Sequence, residues 1–400
     1  MTVVENLQTA VKEDCDVLVC GGGIAGVAAA LSAARLHKKV ILCERGFILG
    51  GLATAGLVAI YLPLCDGLGK QVSFGVAEEL LKLSVSQKAY HTRGYRDWLE
   101  TPNVEKNAKT PRYEVDFNPN LFAISMEKLL VENGVKILYG TIAVNAYEQD
   151  GMITSVVFEN KSGRFAIIPK GVVDATGDCD IANRLSVECK LHQAKNPLAS
   201  WYYFYANNQV KLNLLGACDV SEEEKAQGNK IVSLSKQRFL GVDGEELSVM
   251  TQLSHQSVLK DYTKRKTKEL DFDLVGIATI PQIRMTRKLV GEYELDEAES
   301  HKEFEDSVGL ISDWRKRGPV FEVPFRTLFS QKTRNLAVAG RCISVTDRMW
   351  DITRVIPCCA VTGHAAGTAL ALSSDLTKME ISELQAILCQ TGVRLHEKDL

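Results

Sequence analysis

The chain has no apolar run that is both long and charge-free enough to cross a bilayer. Residues 1–16 carry acids and no basic segment leading into an apolar core, so no secretory signal is expected. No C-x-x-C pair and no His/Cys cluster with metal spacing occurs, which argues against structural zinc and any other metal. Charge of one sign is missing as well. Its 47 basic and 50 acidic residues leave a formal net charge of −3, with no basic face for nucleic acid or anionic lipid. There is no internal repeat and no low-complexity tract. The 11 cysteines are scattered and odd in number, and several lie inside apolar runs. That usage points to reduced thiols and a cytoplasmic location. The remainder, 46% apolar and 24% charged over 400 residues, suits a globular chain of two or three domains with a sizeable core.

One segment carries a specific signal. The apolar run "DVLVC" from Asp16 leads into "GGGIAG", then a small-residue helix, then a second apolar run, "VILC", ending at Glu44. This is the pattern of a dinucleotide-binding βαβ unit. Gly21 allows a tight turn, Gly23 lets backbone approach a pyrophosphate, and Gly26 lets the helix pack closely. Ile24 and Ala25 open a helix whose free N–H groups and positive end face the phosphates. Glu44 falls near the ~20-residue spacing at which a carboxylate takes the ribose hydroxyls.

Downstream, "RGFILGGLATAGLVAIYLP" reads as a loop lying against a flat ligand. Ser73 to Tyr90 reads as helical and His91 to Pro111 as an exposed loop. "NPNLFAISMEKLLVENG" reads as an amphipathic helix with Asn118 as cap, Pro119 in the first turn and Gly134 as stop. "VKILYG" is a short strand. β-type runs follow, punctuated by Asp150-Gly151 and Ser162-Gly163, and "GVVDATGD" closes the block as another strand. Ser186 to Thr327 differs in character, with an aromatic strand, "SWYYFYA", a charged surface segment, and a long helix over "ELSVMTQLSHQSVLKDYTKRKTKEL". Then "NLAVAG" reads as a strand, "PCCAVTGHAAGTALALS" as a small-residue helix, and Glu380 to Gln390 as a last short helix.

The stretch after Glu44 separates NAD from FAD. "ERGFILGGLATAG" places Arg45, Gly50, Gly51, Ala53 and Thr54 just past the ribose acid. This resembles the FAD-binding signature of the glutathione-reductase-like flavoprotein superfamily. Three further stretches resemble its FAD-dependent oxidoreductase family with the glycine-pair motif. They are "VVDATGDCDIA" (Ala175, Thr176, Gly177, Asp178), "PQIRMTRKLVGEYEL" (Arg284, Arg287, Gly291, Glu292, Tyr293), and "NLAVAGRCIS" followed by "RVIPCCAVTGHAAGTALAL". "LQAILCQTGVRL" resembles the family's closing helix. Met285, Lys288 and His364 depart from the residues common in that family. A second G-x-G-x-x-G is missing, which argues against an NADPH domain. No C-x-x-x-x-C redox pair sits beside the first helix, since Cys15 and Cys20, which have that spacing, fall inside the apolar run before it; this argues against a disulfide reductase. "AGR" replaces the "GD" typical of aromatic hydroxylases.

The resemblance implies an α/β fold, a Rossmann-like FAD-binding domain (central parallel sheet with β-meander) plus an inserted α+β substrate domain. Residues 1–75, 112–185 and 328–400 would form the first, and 76–111 and 186–327 the second. FAD would be the cofactor, with Gly340, Arg341, Thr362 and Gly363 near it and the backbone of Ala143 reading adenine. The helix from Pro357 would aim its positive end at the flavin. Arg354 and Arg341 are candidate cations at the ring or the substrate. Arg284 and Arg287, three apart, would share a face if helical and suit an anionic or polyhydroxylated substrate. His364 and Tyr293 are candidate acids or bases, with His91 and Asp347 behind them. The Cys358–Cys359 pair reads as buried filler before it reads as a redox couple. The expected activity is hydride transfer between a small organic substrate and flavin. The alternative is a flavin-binding redox sensor or partner subunit without turnover. The expected partners are a small-molecule substrate and an external electron acceptor or donor, with no nucleic acid and no membrane. An oligomer is compatible with the sequence.

Overall fold

The computed structural model describes residues 2–86, 115–216, 219–268 and 271–400. The end of the expected Ser73–Tyr90 helix, the His91–Pro111 loop and candidate His91 lie outside the described residues. In chain order the elements are β1 (Val11–Cys20), α1 (Ile24–Arg35), β2 (Val40–Cys43), β3 (Ile60–Tyr61), α2 (Val76–Val85), β4 (Val115–Asp116), α3 (Pro119–Glu132), β5 (Lys136–Leu138), β6 (Ile142–Gln149), β7 (Met152–Asn160) and β8 (Gly163–Asp174). Then come α4 (Asp180–Arg184), β9 (Cys189–Leu191), β10 (Tyr202–Ala206), β11 (Gln209–Asn213), α5 (Glu222–Ala226), α6 (Gly244–Lys266), β12 (Asp273–Ile277) and β13 (Arg287–Leu289). The chain closes with β14 (Ser307–Ser312), β15 (Val320–Pro324), β16 (Leu336–Val338), α7 (Asp347–Thr353), α8 (Ile356–Leu372) and α9 (Ile381–Gln390).

The main sheet has seven strands in the order β5-β2-β1-β8-β7-β6, with β16 also on β8. β1 pairs in parallel with β2 and β8, β2 with β5, and β16 with the end of β8. β6, β7 and the start of β8 form an antiparallel meander. The chain is therefore α/β, with a parallel nucleotide-binding sheet that runs into a meander. The sequence divides "SGRFAIIP" from "GVVDATGD", but they are one strand: the first half of β8 pairs with β7 and the last with β16. Its apolar register continues through Pro169, which faces β1 without breaking the strand. Asp150-Gly151 turns the first hairpin as expected, both residues having positive φ. The second turn uses Lys161 and Ser162, and Gly163 already pairs with Asn160.

α1 is buried over almost its whole length, and so is α8. They pack on each other through small residues. A Cβ on Gly363 would overlap the carbonyl of Ala25, and one on Gly367 that of Ala29. That approach brings the start of α8 beside the turn that opens α1. α3 begins as its sequence predicts, with the Asn118 side chain accepting from the N–H groups of Asn120 and Leu121. α2, expected with the second unit, buries Val76, Ala77, Leu80 and Leu81 in the main core.

A three-stranded antiparallel sheet, β11-β10-β12, has its own small core of Tyr202, Ala206, Val258 and Phe272. α6 is capped by Asp243 and buries little besides Met250 and Val258. Three shorter pairs, β3–β4, β9–β13 and β14–β15, complete the strand pairing among the described residues. Among the described residues no single helix is long and apolar enough to cross a membrane. α7 and α8, apolar as a pair, meet at 91°.

Candidate functional site

A cleft of about 380 Å³ opens where β1, β2, β8 and β16 end. Gly21, at φ 103°, makes the turn out of β1, and a Cβ there would overlap the Ala175 carbonyl. The chain can then enter α1 with Gly23 as N-cap and no side chain covering the first-turn N–H groups. A Cβ on Gly23 would meet nothing within 4 Å, so this residue faces open space. Glu44 ends β2, and its two oxygens accept from the N–H groups of Gly22 (2.7 Å) and Gly46 (2.6 Å). The carboxylate is thus oriented by backbone, with a lone pair on each oxygen left for a diol. Gly50 bridges back to Gly23, donating its N–H to the Gly22 carbonyl at 2.8 Å.

The opposite wall comes from late in the chain. Arg354, Ile356 and Cys359 line the same cleft as Gly50 and Gly51. Val355 caps α8 without a side-chain bond, and Pro357 lies in the first turn. The Arg354 guanidinium is held by Asp219 (2.6 Å) and Asp351 (2.6 Å) through Nε and Nη2, while its Nη1 makes no hydrogen bond to the described residues. Asp219 also takes Arg284 at 2.9 Å. Burial alone would raise the Asp219 carboxyl, but the two guanidinium groups hold it well below the usual range. Arg341 bonds Asp178 at 3.1 Å and the Ile283 carbonyl.

Most expected cofactor residues line this cleft: Gly21, Gly23, Ile24, Ala25, Glu44, Arg45, Gly50, Gly51, Ala53, Ala175, Thr176, Gly177, Gly340 and Arg341. Others do not. Gly26 supports the turn, since a Cβ there would overlap the Gly21 carbonyl. Thr54 is buried and donates to the Leu49 carbonyl. Asp178 faces a neighbouring groove and anchors Arg341 and Thr286. Ala143 sits in β6 opposite Phe158, away from the cleft lining. Thr362 accepts from the Gly340 N–H at 3.0 Å, and Gly363 serves the helix contact, so neither lines the cleft.

The acid–base candidates fall elsewhere. His364 is buried on the far side of α8, with Nε2 3.0 Å from the Thr391 hydroxyl. Burial, with Arg35 nearby, lowers its pKa to about 4. Tyr293 bonds Glu299 and packs on Phe304. Arg284 and Arg287 share no helical face, because the first lies in an irregular segment and the second in β13, near Asp180 at 3.5 Å. Asp347 holds the buried Lys288 at 2.7 Å. The Cys358 and Cys359 thiols bond separate carbonyls, and burial pushes Cys359 up to about 12, so the end of α8 does not yield a thiolate.

Sequence reasoning missed Asp219, Phe47 and the wall Thr279–Ile283. Phe47 is 84% exposed yet lines the cleft beside Arg45. Asp219 carried no signal, being one acid before an acidic run. A shallow groove of about 430 Å³ continues the cleft past Arg45 and Pro281 towards Ser248, Thr251 and Gln252 of α6. A larger chamber of about 710 Å³ lies on the other side, walled by Leu57, Ala59, Ile60, Tyr203, Leu212 and Val275, with Asp116 and Lys211 also lining it. Ala55 and Thr279 line the cleft, and Leu57 and Ile277 line the chamber. Between them the Thr279 N–H donates to the Ala55 carbonyl at 2.8 Å, and Gln282 donates to that of Gly56.

The model of the FAD dependent oxidoreductase family matches residues 16–199 and 199–388. The chain belongs to that family. FAD is therefore its cofactor, and the open cradle at Gly23, the uncapped start of α1 and the oriented Glu44 fit an ADP moiety. No curated protein matches the chain. Among solved structures, it is similar to a geranylgeranyl bacteriochlorophyll reductase-like protein from Thermoplasma acidophilum (10% identity, 96% of this chain and 85% of that one, TM-score 0.45). It is also similar to L-amino acid deaminase from Proteus myxofaciens (13%, 99% and 94%, 0.43) and p-nitrophenol 4-monooxygenase from Pseudomonas putida (11%, 96% and 81%, 0.42). Likeness at this level carries no argument about substrate.

Proposed function

We propose that this FAD-dependent oxidoreductase transfers a hydride between the flavin and a small organic substrate held in the chamber beside the cleft. The observation that carries the reading is the shared lining: the dinucleotide turn at Gly23 and the start of α8 at Ile356 face one cavity. FAD, when bound, supplies the hydride acceptor or donor. Gly23 and the first turn of α1 would take the pyrophosphate, and Glu44 the ribose. Arg354, braced by Asp219 and Asp351, would present Nη1 to charge that develops on the ring. The free N–H groups at the start of α8 favour the same sign of charge. In this reading Arg284 stabilises Asp219 and does not touch substrate, so the polarity of the site rests on Arg354 and Arg341. The mainly apolar chamber favours a substrate with a sizeable hydrocarbon or aromatic part. The glycine-pair motif at Gly50 and Gly51, beside Gly23, supports placement in that branch of the flavoprotein superfamily. Residues 1–75, 112–185 and 328–400 would form the FAD-binding domain, with the chamber roofed by the inserted β10–β12 sheet.

The test is an anaerobic screen. Holoenzyme is mixed with alcohols, amines, amino acids and hydroxy acids of graded apolar size, and the visible flavin band is followed. Bleaching by a subset whose apparent affinity rises with apolar size supports the reading. A flavin that no such compound reduces, and whose reduced form no carbonyl, imine or activated alkene reoxidises, contradicts it.

A further inference from the structure

Phe47 is a large apolar side chain left 84% exposed, yet it lines the cleft three residues past Glu44. The loop that carries it is laddered to the chain leaving β5. The Glu44 N–H donates to the Leu138 carbonyl at 2.9 Å, the Gly140 N–H to that of Gly46 at 3.0 Å, and the Thr141 N–H to that of Glu44 at 3.0 Å. This register seats the Phe47 ring on two residues. It stacks on Tyr139 with centroids 6.5 Å apart and planes 29° from parallel. It also lies over Gly140, where a Cβ would come within 2.7 Å of the ring, so only glycine leaves it room. Tyr139 is fixed in turn, its hydroxyl donating to the Glu127 carboxylate of α3 at 2.6 Å. A hydrophobic ring is thus held in place at the mouth of the cleft without being covered by the protein.

We propose that Phe47 is the platform on which the base of the dinucleotide stacks, and that stacking, not hydrogen bonding to the base edge, is how this chain recognises the base. The inference rests on the ribose lying at Glu44. The base is joined to C1′, the carbon beside the ribose diol, so the residues next to the diol-binding acid are the ones it meets. The resemblance assigned this task to the backbone of Ala143, but Ala143 sits in β6 opposite Phe158, away from the cleft lining. A flat purine covers an exposed aromatic face in a way that no water layer does, and a ring already fixed by Tyr139 and Gly140 loses little freedom when it is covered. Every base offers a π-face, so recognition by stacking tolerates a change at the base edge. The chain therefore takes a purine diphosphate with little regard to whether the base carries an amino or an oxo group.

The experiment titrates the full-length apo-protein by calorimetry with FAD, ADP, inosine diphosphate and ribose 5-diphosphate, the last having the sugar and phosphates without a base. Phe47→Ala should bind FAD and ADP about tenfold more weakly and ribose 5-diphosphate as tightly as wild type does. Phe47→Trp should restore ADP binding. Wild type should bind inosine diphosphate within about threefold of ADP. The side chain is exposed, so each variant should keep its denaturation midpoint. An unchanged ADP affinity in Phe47→Ala would overturn the proposal. So would a loss that ribose 5-diphosphate shares, since that would mark Phe47 as a prop for the Glu44 loop. A large preference for ADP over inosine diphosphate would do the same, by showing that the base edge is read. Gly23→Val beside these variants separates the claims: if it weakens ADP and Phe47→Ala does not, stacking fails while the placement of FAD stands.

Discussion

At one end the cleft is walled by backbone; at the other it is walled by charged side chains. Around Gly21, Gly23 and Gly50 the surface is made of amides, and the one acid present, Glu44, is itself pinned by two N–H groups. Around Arg354 and Arg341 the surface depends on guanidinium groups whose positions are set by Asp219, Asp351 and Asp178. The first end is a local device, written in consecutive residues. The second is assembled from partners 135 and 163 residues away. Substitutions at the two ends should therefore fail in different ways.

The largest effect is expected at Gly26. Gly26→Ala drives a Cβ into the Gly21 carbonyl, a backbone atom that cannot swing aside. A loss of more than about 3 kcal/mol is expected, read as a fall in denaturation midpoint together with loss of the flavin colour. Arg354→Leu comes next. It leaves Asp219 with Arg284 alone and removes one of the cations that line the cleft. Flavin reduction by a substrate from the screen should slow about a hundredfold, with stability down by ~3 kcal/mol. Arg284→Leu sharpens the contrast: a similar stability loss with a much smaller rate effect is expected from stopped-flow traces. Equal rate losses in the two variants would erase the distinction between lining and bracing arginines.

Gly363→Ala tests the contact that joins the ends. The added methyl group meets the Ala25 carbonyl, and α1 and α8 must part. A loss of ~2 kcal/mol in chemical denaturation is expected, with weaker FAD binding, because the separation widens the cleft between Gly23 and Ile356. The smallest effect is expected at His364. Its pKa is lowered to about 4 by burial, so the folded protein holds it neutral. The stability this confers is complete above the ordinary histidine value of ~6.5 and is lost as pH falls towards about 4, because the unfolded chain takes up the proton first. His364→Gln should leave turnover unchanged, cost ~1 kcal/mol at neutral pH, and flatten the acid limb of the stability profile. A large turnover defect would return His364 to the acid–base role.

The same contrast explains what the sequence disclosed. The βαβ unit, the meander, the Asn118 cap and the small-residue α8 were legible because each rests on local pattern, turn chemistry or steric need. The glycine pair was legible for the same reason, and its residues line the cleft. The roles of Arg284, Arg287 and His364 were not. An arginine three positions from another reads as a shared face only if the segment is helical, and here one residue is in a loop and the other in a strand. His364 lies on a helix that is buried all round, so no periodicity could say which side faces the ligand. Asp219 was invisible because only the folded chain brings it between two arginines.

The most direct measurement is equilibrium titration of apo-protein with FAD, wild type beside Gly23→Val. A Cβ at Gly23 meets nothing within 4 Å, so the variant should fold with an unchanged denaturation midpoint. Wild type should bind one FAD, and the variant should bind it about a thousandfold more weakly, a difference of ~4 kcal/mol. Equal affinity in the two proteins would show that the pyrophosphate does not cross Gly23 and would contradict the placement of FAD in this cleft.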